Sequence, residues 1–234
     1  MPTGTELDTR TFQRWTFRYR AGGDGSGPLL VLLHGFTGDE TSMVFFVHRL
    51  PPGCSLLAPR ALFPAPGGGY SWREPGPDHQ GLPGIAHLRP AVDSLLGFLE
   101  DWCAEAHLEA GSLCLLGFSQ GAAMAYTVAL LHPERVHALA ALSGFLPEGA
   151  DQLLEGRPLA GKPIFVSHGR EDPLVSVDLA RRAVARLEAS GAPVTYCEST
   201  GGHKVAAVCL KGMESFFQTI YNQGDPGSRS RPRR

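Results

Sequence analysis

The chain has 234 residues, of which 43% are apolar and 19% charged, with a formal net charge of −2 at pH 7. That is enough for one domain with a full core, and the near-neutral balance offers no electrostatic reason to expect a nucleic-acid partner. No run of eighteen apolar residues exists to cross a membrane, and the N-terminus lacks a charged-then-apolar signal pattern.

Residues 1–10 are polar, and residues 11–20 alternate in period two, as in a half-exposed edge strand. After a glycine-rich turn, Leu29-Leu30-Val31-Leu32-Leu33 predicts a central parallel strand that ends in His34-Gly35-Phe36-Thr37-Gly38. Residues 41–50 predict a helix stopped by Pro51-Pro52, and residues 55–58 a further short strand. From 60 to 90 periodicity is lost among Gly and Pro, and a connection of that length is usually functional or mobile. Trp72 in this loop is a candidate pocket residue.

Residues 91–106 carry Val92, Leu95, Leu96, Leu99 and Cys103 at helical spacing. An apolar strand then runs into Gly117-Phe118-Ser119-Gln120-Gly121, and a helix rich in Ala, Met and Leu starts at once. No residue is spare for a loop, so Ser119 must occupy a sharp, strained turn that lifts its hydroxyl above the sheet. Strands follow at 136–142, 163–167 and 194–197, with a helix capped by Ser176 through about 190 and another from beyond His203 to 220. Strands alternating with helices imply a mostly parallel sheet covered on both faces. The expected organisation is one α/β domain over residues 1–221 and a disordered Arg-rich tail over 222–234.

The five cysteines are odd in number, scattered and without a CxxC pair. They read as reduced, buried hydrophobes and point to a cytoplasmic protein.

Ligands bind beyond the carboxyl ends of parallel strands, and Ser119, Asp172 and His203 all lie at such ends. A serine hydroxyl needs a base, and the base needs an orienting carboxylate. Among nine histidines, His203 stands out in a glycine turn just before a helix, whereas His34 and His168 precede Gly in strand-end turns and suit backbone support. Asp172, before Pro173, is preferred to Glu171 and Asp178 as the acid. The backbone N–H groups of Phe36 and Gln120 are positioned to serve an oxyanion. No HExxH-like spacing suggests a metal.

LLHGFTGDE, GFSQGAAMAY, ALSGFLP, HGREDPLV and GGHKV, in this order, resemble the phospholipase/carboxylesterase family of α/β-hydrolases across residues 28–220. The resemblance implies an α/β-hydrolase fold and a serine carboxylic-ester hydrolase that needs no cofactor. It makes Ser119 nucleophile, Asp172 acid, His203 base, and Phe36 and Gln120 oxyanion donors. Leu174, beside the acid, is a second candidate substrate contact.

The family's GFSQGG reads Gly121-Ala122 at its end here, and the Gly- and Pro-rich 60–90 loop prevents transfer of a substrate preference. No large insertion follows the strand ending at Leu142, so no large lid is expected. The expected reaction is hydrolysis of short- to medium-chain acyl esters, small-molecule substrates, through an acyl-enzyme. The alternatives are an acyl-protein thioesterase or lysophospholipase-type activity, a small peptidase, or a non-catalytic ligand-binding hydrolase fold. The sequence does not decide the oligomeric state, a homodimer included.

Overall fold

A computed structural model describes residues 7–23, 27–76, 81–108 and 112–224, with side chains through residue 222. Residues 225–234, most of the expected tail, lie outside the described residues. The strands are β1 (Asp8–Phe12), β2 (Trp15–Arg20), β3 (Leu29–Leu33), β4 (Leu56–Pro59), β5 (Phe63–Pro64), β6 (Tyr70–Ser71), β7 (Leu113–Phe118), β8 (Val136–Leu142), β9 (Ile164–Gly169) and β10 (Val194–Ser199). The helices are α1 (Val44–Val47), α2 (Ile85–Glu105), α3 (Gln120–Leu131), α4 (Ala150–Leu154), α5 (Val177–Ala189) and α6 (Ala207–Gly224).

Eight strands form one sheet in the order β1-β2-β4-β3-β7-β8-β9-β10, and β5 and β6 form a separate hairpin. β1 and β2 pair antiparallel, as do β2 and β4, and every other neighbouring pair in the large sheet is parallel. The mostly parallel sheet is the one expected from the strand–helix alternation, and its architecture is the α/β-hydrolase fold that the resemblance implied.

The continuous apolar strands have a simple cause: both of their faces are covered. Val31, Leu33, Leu115 and Leu139 pack into one core with α2 and α3. Leu30, Leu32, Leu116 and Phe165 turn the other way, toward α1 and α6. Each such side chain, fully buried, contributes about 1.5–3 kcal/mol relative to exposure. On β2, next to the edge strand, Trp15 stacks on Phe98 of α2 with centroids 4.8 Å apart, and Phe17 meets Trp102 at 4.9 Å.

Local differences from the sequence reading have physical reasons. The expected edge strand over 11–20 is a hairpin, broken where Gln13 takes φ 51°. The helix expected over 41–50 shrinks to Val44–Val47. Helix α2 starts at Ile85 and runs through Pro90, which the sequence reading took as a boundary. A proline in the second turn forfeits one backbone bond there, and the buried stripe from Ile85 and Leu88 onward compensates.

The cysteine reading also needs correction. Cys197 at the end of β10 and Cys209 in α6 form a disulfide with Cα atoms 5.6 Å apart. Cys54, Cys103 and Cys114 are free and buried, as expected of small hydrophobes.

Candidate active site

Ser119 is the single residue between β7 and α3, with φ 54° and ψ −117°. A positive φ is costly for a residue with a Cβ and persists only where the surroundings enforce it. The surroundings here are backbone at close range. A Cβ on Gly121 would lie 2.0 Å from the Leu33 carbonyl oxygen, and one on Gly117 would lie 2.2 Å from that of Gly121. Only glycine lets the two segments cross so closely. The Ser119 amide donates to the Leu142 carbonyl at 2.9 Å, which ties the turn to β8.

The ends of β7, β9 and β10 bring three distant side chains together. His203 Nε2 is 2.9 Å from Ser119 Oγ, and its Nδ1 is 2.7 Å from Asp172 Oδ2. A carboxylate accepts, so the proton belongs on Nδ1, leaving Nε2 free to accept from the serine hydroxyl. The Asp172 side chain is fully buried, and its Oδ1 takes the amide N–H groups of Leu174 and Val175, each at 2.9 Å. Burial alone raises a carboxyl pKa. The Val175 amide, the His203 ring and the Leu174 amide outweigh that effect and hold Asp172 below the usual carboxylate range.

A second imidazole supports the acid. The His168 side chain is buried, with Nε2 2.8 Å from the Val175 carbonyl oxygen and 3.3 Å from Asp172 Oδ2. Both neighbours are acceptors, so His168 carries its proton on Nε2. The turn bearing His203 is seated on β9. The Arg170 amide donates to the Ser199 carbonyl at 2.8 Å and the Glu171 amide to that of Gly201 at 2.9 Å. The Phe118 ring lies 5.1 Å from that of His203.

The amides of Phe36 and Gln120 make no hydrogen bond among the described residues, in contrast to that of Thr37, which donates to the Tyr70 carbonyl at 3.0 Å. Beneath them runs a buried network. His34 accepts the Ala61 amide on Nε2 at 3.0 Å and donates from Nδ1 to the Gly35 carbonyl at 2.7 Å. Burial pushes its pKa below the ordinary histidine value, and the Gly35 bond opposes that only in part.

Trp72 donates its indole N–H to the His34 carbonyl at 2.8 Å, and its amide to Gln120 Oε1 at 3.0 Å. Trp72, the candidate pocket residue of the sequence, has a completely buried side chain that plugs the loop onto the turn after β3. Leu174 is 70% exposed and does not line the cavity beside His203; its amide serves Asp172 instead.

That cavity, about 630 Å³, is lined by Phe36, Phe45, Phe46, Phe118, His203 and Lys204, among others. Among the described residues, no cluster of three or more His, Cys, Asp or Glu could hold a metal, and no helix is long and apolar enough to cross a membrane.

The sequence reading did not assign the support of Asp172 by His168, the hold of Trp72 on His34 and Gln120, or the Cys197–Cys209 pair. The one available signal was His168-Gly169 four residues before Asp172 at a strand end.

A family model described as Phospholipase/Carboxylesterase matches residues 20–221. Acyl-protein thioesterase 1 of Aspergillus fumigatus is 26% identical over 157 residues, covering 65% of this chain and 64% of that protein. Across the curated relatives it matches, the aligned stretch spans only 40% to 64% of their length. Among solved structures, the Bacillus cereus carboxylesterase superposes with a TM-score of 0.75 at 20% identity, covering 88% of this chain and 95% of that one. Esterase PE8 superposes at 0.74 with 28% identity, covering 92% and 99%.

Proposed function

The chain belongs to the phospholipase/carboxylesterase family, and from that premise we propose that it is a serine carboxylesterase acting on short- to medium-chain acyl esters. The observation that carries the reading is the hydrogen-bonded run from Asp172 through His203 to Ser119, beside the Phe36 and Gln120 amides, which make no hydrogen bond among the described residues. In this reading residues 1–221 form the catalytic domain.

Ser119 Oγ attacks the ester carbonyl while His203 Nε2 takes its proton, and the carbonyl oxygen becomes an oxyanion held by the Phe36 and Gln120 amides. Asp172 stabilises the imidazolium without itself taking the proton. His203 then gives the proton to the departing alcohol oxygen, which leaves an acyl group on Ser119. A water attacks that acyl group with His203 again as base, releasing the acid and restoring the serine. Donors already in place need no reorganisation during the step, which is the main electrostatic economy of such sites.

The test is Ser119→Ala with p-nitrophenyl butyrate. Turnover should fall by on the order of 10⁶, as when a triad serine is removed elsewhere, with the melting temperature and circular dichroism of a folded protein. Parent-like hydrolysis by the variant would end the proposal. A second reading, hydrolysis of thioesters, is favoured by the similarity to an acyl-protein thioesterase. Rates on an oxyester and a thioester with the same acyl group separate the two.

A further inference from the structure

The cavity beside His203 differs chemically from the rest of the site's surroundings. Its walls are aromatic and aliphatic, from Phe36, Phe45, Phe46, Phe118, Met43 and Val205. Phe36 is 48% and Phe45 67% exposed, so neither is sealed into the core. Ser42 and Thr37, the hydroxyl residues of the lining, already bond to Asp39 and to the Phe36 carbonyl. Lys204 is the one lysine or arginine in the lining, and no Asp or Glu lines it. Among the described residues Lys204 takes part in no ion pair.

The base of this lysine is well held. Its amide donates to the Gly202 carbonyl at 2.8 Å, and the Cys197–Cys209 disulfide closes the segment that carries it. The place of the cavity is equally informative. His203 must hand its proton to the leaving oxygen, so the alcohol half of an ester departs on the His203 side, where His203, Lys204 and Val205 form the wall.

We propose that this cavity receives the alcohol half of the substrate, and that this half is an aryl group bearing a carboxylate that pairs with Lys204. The inference rests on the esterase reading above. Flat rings pack on exposed phenyl rings with a gain beyond area alone, and a cation at an apolar wall with no carboxylate partner among the described residues selects an anion of matching reach.

The experiment compares 4-acetoxybenzoate with 4-acetoxybenzamide, which share the acetyl group and nearly the same leaving phenol but differ in charge. The ratio of their kcat/KM values is measured in the parent, Lys204→Ala, Lys204→Arg and Lys204→Glu; taking the same ratio in each protein cancels the intrinsic reactivities. The parent should favour the carboxylate. That preference should drop about fivefold in Lys204→Ala, as for loss of a well-placed exposed ion pair, persist in Lys204→Arg and reverse in Lys204→Glu. In Phe45→Ala the rate on phenyl acetate relative to ethyl acetate should fall. A ratio equal in the parent and Lys204→Ala overturns the anionic preference while leaving the esterase reading standing, and an unchanged aryl-to-alkyl ratio in Phe45→Ala overturns the aryl preference. Failure of the parent to hydrolyse any of the four esters overturns the esterase reading and this inference with it.

Discussion

Ser119 keeps an unfavourable φ because its neighbours leave no other path, and Gly121 is the tightest of them. A methyl group there would lie 2.0 Å from the Leu33 carbonyl oxygen, which is backbone and cannot swing aside. Gly121→Ala should therefore cost about 3 kcal/mol, the upper end of ordinary overpacking, read as a lower urea midpoint with an unchanged slope. His168 makes a different contribution. Replacing it with Phe leaves the Val175 carbonyl without its donor, a loss of about 1–3 kcal/mol for a buried group. Because that carbonyl belongs to the turn that aims Asp172, kcat should fall with KM little changed. His168→Gln, which can still donate at the Nε2 position, should recover part of both.

At the level of elements, the segment between β10 and α6 carries His203 inside a ring closed by Cys197 and Cys209. Closing a loop of this size stabilises a fold by about 3 kcal/mol in the chain-entropy account. The Cys197→Ala/Cys209→Ala double variant should lose close to that amount in chemical denaturation. It should also lose kcat, since His203, the proposed base, then rides on a freer segment; an unchanged stability would show that the bond constrains nothing. Disulfides persist in oxidising surroundings, so the location inferred from unpaired cysteines loses that support.

The same elements show what the chain made legible. Strands β3, β7, β8 and β9 announce themselves as unbroken apolar runs because both faces are covered, and Ser119, Asp172 and His203 stand out because they follow strand ends in an order that lets a hydroxyl, a carboxylate and an imidazole converge. The cysteine pairing was not legible. It depends on the end of β10 lying against the start of α6, a tertiary fact with no trace in local spacing. Helix α2 was truncated in the reading because Pro90 looks like a boundary until the apolar stripe before it is seen to be buried.

For the molecule as a whole, stability should respond to pH in two windows. His34 has a lowered folded pKa, so below the ordinary histidine value of about 6.5 the unfolded chain takes up a proton that the folded one resists. Stability should fall as pH drops from about 7 toward 5, and the slope should be smaller in His34→Asn, as melting temperatures across the range would reveal. Asp172 also has a lowered folded pKa, and its contribution is full above the unfolded carboxyl value of about 3.9. That contribution is lost only as pH falls through the folded value, so it belongs to acid unfolding and not to the neutral window.

Trp72 links these scales. One indole grips the carbonyl that opens the turn after β3, and the amide of the same residue grips the first side chain of α3. Both amides proposed to receive the negative oxygen thus hang from a single peg supplied by an outlying, irregular segment. The outer rim of that segment is free to drift and to learn new substrates, whereas the peg is not. Diversification of this chain, by nature or in the laboratory, should accordingly rewrite the residues around Trp72 and leave the tryptophan itself alone.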